Sequence, residues 1–214
     1  MFGNIKSKSA FTLSEVLITL GIIGVVAAMT MPTLIKNYQK HVTLNKLKST
    51  YTILNNAIEM AKTEYGVDVN SWDMPNVGRK VDSEYFAKTY LMPYLKILNK
   101  EPASNNGYYF TLVNGVYVTV VSFSQSSSVA DSRIRIDMYI NGKKSSYKNA
   151  REVFSIELGG GTGQTGLDKN KFWPYAFGTT TYRGTLKTNC INNNACCFAL
   201  IMFDNWQIKD DYPW

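Results

Sequence analysis

Residues 9–29 read SAFTLSEVLITLGIIGVVAAM, an apolar run that carries a carboxylate, Glu15, immediately before its longest uninterrupted part. A charge at the centre of a bilayer costs about 2.5 to 3.5 kcal/mol, so Glu15 requires compensation. Residues 16–31 hold no charge and residues 11–31 hold only Glu15, which meets the length of about 20 residues for a single membrane span. Lys6 and Lys8 precede the run. Positive residues stay on the cytoplasmic side, so the chain is expected to cross the cell inner membrane once with everything after residue 31 outside the cytoplasm. A secretory signal peptide cut after Val26-Ala27-Ala28 is the plainer reading. Glu15 would then be an unexplained defect, and the residues that follow would start a new domain.

They continue a helix instead. Leu44, Leu47, Tyr51, Leu54, Ile58, Ala61 and Tyr65 recur at alternating intervals of three and four, the spacing of one helical face. Gly66 is placed to end it. The expected helix covers about residues 11–65, roughly 80 Å long at 1.5 Å per residue. Its first half suits a membrane and its second half suits a head. Pro32 falls inside, where it removes the hydrogen bond to the Ala28 carbonyl and is expected to kink the axis at a cost of about 3 kcal/mol. Gly21 and Gly24 lie upstream.

Beyond residue 66 the pattern turns to strand. Residues 90–97 read as a short helix or turn broken by Pro93. Residues 108–113 and 116–123 flank Asn114-Gly115, a pair that two-residue hairpin loops prefer. Residues 133–140 alternate, turn at Asn141-Gly142, and are followed by residues 153–158; residues 197–203 supply a last strand. The expected class is α+β: a four- or five-stranded antiparallel sheet packed on the amphipathic half of the long helix.

With 214 residues, 45% of them hydrophobic, the chain is neither disordered nor too short for a core. Its net charge is +7, but Lys36, Lys40, Lys46, Lys48, Lys143 and Lys144 are scattered, and tracking a phosphate backbone needs a concentrated stripe. Cys190, Cys196 and Cys197 lie far from the single histidine, His41, and match no zinc spacing. One disulfide, from Cys190 to Cys196 or Cys197, suits an oxidising compartment; side-chain alternation in the expected last strand favours Cys197. Residues 161–166 fit G-x-G-x-x-G without the helix and second β-unit of a nucleotide crevice. Asp210 and Asp211 are too few for a calcium site of six to eight oxygens. No catalytic constellation appears, so neither an enzyme nor a cofactor is expected. A ligand- or carbohydrate-binding head remains the alternative, with Tyr108, Tyr109, Trp173 and Trp206 as candidate surface aromatics.

Together these residues resemble the N-terminal signature of type IV pilins and type II secretion pseudopilins. A short basic leader ends at Ala10, the following chain opens Phe11-Thr12-Leu13, Glu15 is fifth and Pro32 twenty-second. The resemblance implies a prepilin peptidase that cuts between Ala10 and Phe11 and methylates the Phe11 amine. It also implies an inner-membrane assembly platform and a filament of pilin or pseudopilin subunits, with Glu15 paired to the Phe11 amine. The family usually has glycine where Ala10 stands. Residues 90–97, 137–154 and 198–214 also resemble one pilin-like group whose members carry an Asp-x-Asn-Gly turn and an Asp-Gly-Trp tail; here Asn205 replaces that glycine. The implied division is a leader (1–10), a membrane and assembly helix half (11–36), an amphipathic half (37–66) and a β-sheet head with a disulfide region (67–214). The filament is expected to be a secretion pseudopilus or a surface pilus; a competence pilin would use the residual charge of +5 once Lys6 and Lys8 are removed.

Overall fold

A computed structural model describes residues 11–123, 129, 133–143, 150–158, 166–192 and 196–214. The chain divides into two units, the first ending at His41 and the second running Val42–Trp214. A single helix, α1 (Leu13–Tyr65), supplies most of the first unit and opens the second.

In the second unit α1 buries Thr43, Leu47, Thr50, Leu54, Ala57, Ile58 and Ala61. Four of these belong to the periodic stripe. Leu44 and Tyr51 are half-buried against the same core. The helix ends as expected. Gly66 has φ of 99° and donates to the Lys62 carbonyl at 3.1 Å, the αL cap that glycine accepts without a Cβ penalty. Beyond it, Trp72 stacks on Tyr90 with centroids 4.6 Å apart, and Tyr65 meets Tyr90 edge-on at 4.9 Å.

Helix α2 (Arg79–Phe86) continues into a π turn and then a 3-10 turn at Met92–Tyr94 around Pro93. The sheet follows: β1 (Ile97–Ser104), β2 (Gly107–Leu112), β3 (Tyr117–Ser122), β4 (Ile134–Tyr139), β5 (Val153–Leu158) and β6 (Phe172–Pro174). All pair antiparallel in sequence order. The class is therefore α+β and pilin-like, with six described strands in place of four or five. The two added strands are edges: β1 is polar, contains Pro102 and pairs with register shifts, while β6 has three residues. Edge strands need no alternation and tolerate proline.

Two local expectations are corrected. The Asn114-Gly115 loop has three residues: Leu112 and Val116 close it, Gly115 donates back to Leu112 at 2.9 Å, and its φ is 81°. That is the turn-plus-bulge form of a three-residue hairpin. Asn114 accepts from Val116 N–H at 3.1 Å and donates to Thr50 of α1 at 3.1 Å, tying hairpin to helix. The second correction concerns Cys197–Phe203, which is helix α4 and not a strand. Phe198, Ala199, Leu200 and Ile201 are all buried, and an apolar run hidden on every side shows no period by which to separate helix from strand. Helix α3 (Arg183–Asn192) precedes it.

One core joins these elements. Leu47, Leu54 and Ile58 of α1 share it with Phe110, Val118, Ile136, Phe154 and Phe198, and Tyr51 donates to the Phe172 carbonyl at 2.8 Å. Leu54→Ala should destabilise the second unit by about 2–5 kcal/mol through the cavity it leaves, measured by urea unfolding of the detergent-solubilised chain. Leu34→Ala, at a position 69% exposed, should leave that transition in place.

Candidate assembly segment and head surface

Leu13, Leu17, Ile18, Leu20, Ile22, Ile23, Met29 and Leu34 are each more than half exposed, around the full circumference of the helix. A helix hydrophobic all round belongs inside something. The apolar window of α1 is long enough to cross a membrane, and none of it is buried by the chain itself. Pro32 sits within α1, which continues on both sides of it.

The sequence-predicted site residues fall at the start of this segment. Ala10 lies outside the described residues, and Phe11 is 87% exposed just ahead of the helix. Thr12 and Glu15 form a capping box: Glu15 Oε2 accepts from Thr12 N–H at 2.8 Å and from Thr12 Oγ1 at 2.9 Å, and Thr12 Oγ1 accepts from Glu15 N–H at 3.2 Å. Orphan amides of the first turn are satisfied this way. The second carboxylate oxygen, Oε1, has no partner among the described residues.

At the other end of the chain Cys190 and Cys197 form a disulfide, S–S 2.01 Å, that joins α3 to α4. Because both residues are helical, strand alternation is not what selects Cys197. Cys196 is buried and unpaired, and burial, with Glu157 adding to it, pushes its thiol pKa up, which leaves it inert as a nucleophile. Asp211 is held by Arg183 through contacts of 2.7 and 2.8 Å and by Lys187 at 3.1 Å. Arg183 also grips Asp204 at 2.7 and 2.9 Å, and Lys209 reaches Asp204 at 2.8 Å. These contacts hold the acidic tail. Of the candidate surface aromatics, Tyr108 is core, Trp206 is half-buried against Phe198, Trp173 stacks on Phe177 at 5.8 Å, and Tyr109 faces a polar cleft. Residues 161–165 of the glycine-rich motif lie outside the described residues. Sequence reasoning missed the cleft itself, although the alternation in residues 133–140 already set Arg135, Asp137 and Tyr139 on one face.

Comparison with known proteins now adds two findings. Residues 33–214 match a family of unknown function, DUF6613. The chain belongs to that family. Residues 5–31 match the prokaryotic N-terminal methylation motif, the signature of type IV pilins and pseudopilins, which are structural subunits. No curated protein and no solved structure matches. This family member therefore carries a pilin-type N-terminus ahead of its DUF6613 head, and its motif and apolar helix are those of a membrane-anchored, pilin-like filament subunit.

The Arg183 clamp has a pH signature. Hydrogen bonds from Arg183 and Lys187 hold the Asp211 carboxyl below its usual range. Burial alone would raise Asp204, yet Arg183 and Lys209 outweigh it and leave it lowered. Depressed carboxylates stabilise the fold above their unfolded pKa of about 3.9 and lose that contribution as pH falls through the folded value. The melting temperatures of wild type and Arg183→Gln should differ at neutral pH and converge progressively below about pH 4.

Proposed function

We propose that this chain is a structural, non-enzymatic subunit of a type IV pilin-like filament, anchored in the cytoplasmic membrane with its head outside. Residues 1–10 act as the leader, residues 11–36 as the membrane and assembly half of the helix, residues 37–66 as its amphipathic half, and residues 67–214 as the head. The observation that carries this reading is the apolar helix half left exposed on all sides. Its stretch up to residue 31 lies within the residues that match the methylation motif. Lipid satisfies that surface before assembly, and neighbouring helices satisfy it afterwards.

Prepilin peptidase cuts between Ala10 and Phe11 and methylates the new amine. Cleavage creates a positive charge next to the capping box, where Glu15 Oε1 is available to accept it. Two charges that are each costly in apolar surroundings become tolerable as a pair. An arriving subunit whose Phe11 amine meets the Glu15 of a neighbour gains register along the filament. Pro32 gives the rod a place to bend during extraction by the assembly platform. Secretion pseudopili and surface pili are both built on this helix. The disulfide Cys190–Cys197 suits a head that matures outside the cytoplasm.

Glu15→Ala should leave the chain in the membrane fraction and reduce its incorporation into filaments by at least about tenfold, the scale of a buried charge pair broken on one side. Fractionation and immunoblotting of assembled filaments check this; undiminished incorporation of Glu15→Ala would remove the ion-pair account.

A further inference from the structure

The sheet face turned away from the core carries a cluster of polar and charged groups. Ile134, Ile136 and Met138 of β4 enter the core, so Arg135, Asp137 and Tyr139 share the other face. Strand register sets Tyr109, Thr119 and Asp137 side by side across β2, β3 and β4. With Arg79 from the first turn of α2, they line a cleft of about 330 Å³.

Two independent observations mark the cleft as built for a ligand. Thr119 lines the cleft yet is only 4% exposed, and its hydroxyl has no hydrogen-bond partner among the described residues. Buried hydroxyls are normally paired; this one belongs to a residue of the cleft lining. The second observation is a gathering of guanidinium groups around one ring, with Arg79, Arg135 and Arg133 at 4.9, 5.0 and 5.4 Å from the Phe123 centroid. Such contacts hold the cations in place without using their N–H donors. Arg135 Nε approaches Asp137 Oδ1 to 3.2 Å, but its N–H is not aligned on that oxygen and finds no acceptor among the described residues. Asp137 already accepts from Ser155 Oγ at 2.5 Å. Arg79 has no carboxylate within ion-pair distance among the described residues.

Charge and shape narrow the occupant. Arg79 and Arg135 against Asp137 leave the lining with one net positive charge, which complements a monoanion better than a doubly charged phosphate. Two guanidinium forks beside a hydroxyl match the two oxygens of a carboxylate. Tyr109, Tyr139 and Asn106 add ring edges and polar groups for a hydroxyl-bearing carbon skeleton. We propose that this cleft binds a hydroxylated monocarboxylate, a chemistry shared by free hydroxy acids and by an acidic sugar at the end of a glycan. Thr119, Arg79 and Arg135 take the carboxylate, and the tyrosines flank the rest of the ligand. The inference stands whether or not the chain enters a filament.

Calorimetric titration of the full chain, in a detergent without a sugar headgroup, tests it with D-glucuronate against D-glucose and inorganic phosphate. Glucuronate should bind, with glucose and phosphate weaker by about tenfold or more. Arg79→Ala and Thr119→Val should each weaken glucuronate by about tenfold, the scale of a hydrogen bond to a charged group. Arg79 is exposed, and Thr119→Val keeps the side chain's shape while removing an unpaired hydroxyl, so neither should lower the ligand-free melting temperature. An oligosaccharide ending in glucuronate that binds more tightly than the monosaccharide assigns the site to glycans, and equal affinity assigns it to free acids. Absence of glucuronate binding, equal binding of phosphate or glucose, or indifference to both substitutions would overturn the proposal.

Discussion

The constraint on which this protein depends is a helix that its own chain cannot cover. In α1 the first half is apolar around its whole circumference, and burial begins only at Thr43. Hydrophobic surface on that scale is stable only when removed from water. Lipid or the corresponding helices of other subunits must supply the cover. On the function proposed above, that requirement gives Glu15 its role, because one carboxylate in such surroundings is a liability alone and a register mark when paired.

The second half of α1 obeys the opposite rule. Its apolar stripe is narrow, and the antiparallel sheet buries it in a core built from Leu47, Leu54, Ile58, Phe110, Ile136, Phe154 and Phe198. Two further devices hold the C-terminal region together. The Cys190–Cys197 disulfide fixes α3 to α4, and Arg183 binds Asp204 and Asp211 in turn.

The long helix, its glycine stop and the four central strands were legible in the sequence because each has a period. Residues 44–65 repeat at helical spacing, and β2 to β5 each place alternate residues in the core. What was not legible lacked a period or had no side-chain signal. Cys197–Phe203 is apolar throughout and buried throughout, so the same letters serve helix or strand. The edge strand β1 is held by one neighbour's hydrogen bonds and packs only Ile97 and Ala103, both half-buried, against the core. At the assembly segment, the capping box was readable from Thr12 and Glu15 three residues apart. The cleft was not, because Arg79, Thr119 and Arg135 lie on three separate elements that only the fold brings together.

Everything proposed for the N-terminal segment turns on where the mature chain begins. Mass spectrometry of the mature N-terminus, with the chain expressed in the presence and absence of a prepilin peptidase, reads this directly. A chain that starts at Phe11 and carries one added methyl group only when the peptidase is present is the expected result. A chain that starts at Met29 under both conditions would make residues 1–28 a conventional signal peptide. It would leave a secreted head with no assembly helix, contradicting the filament account at its root.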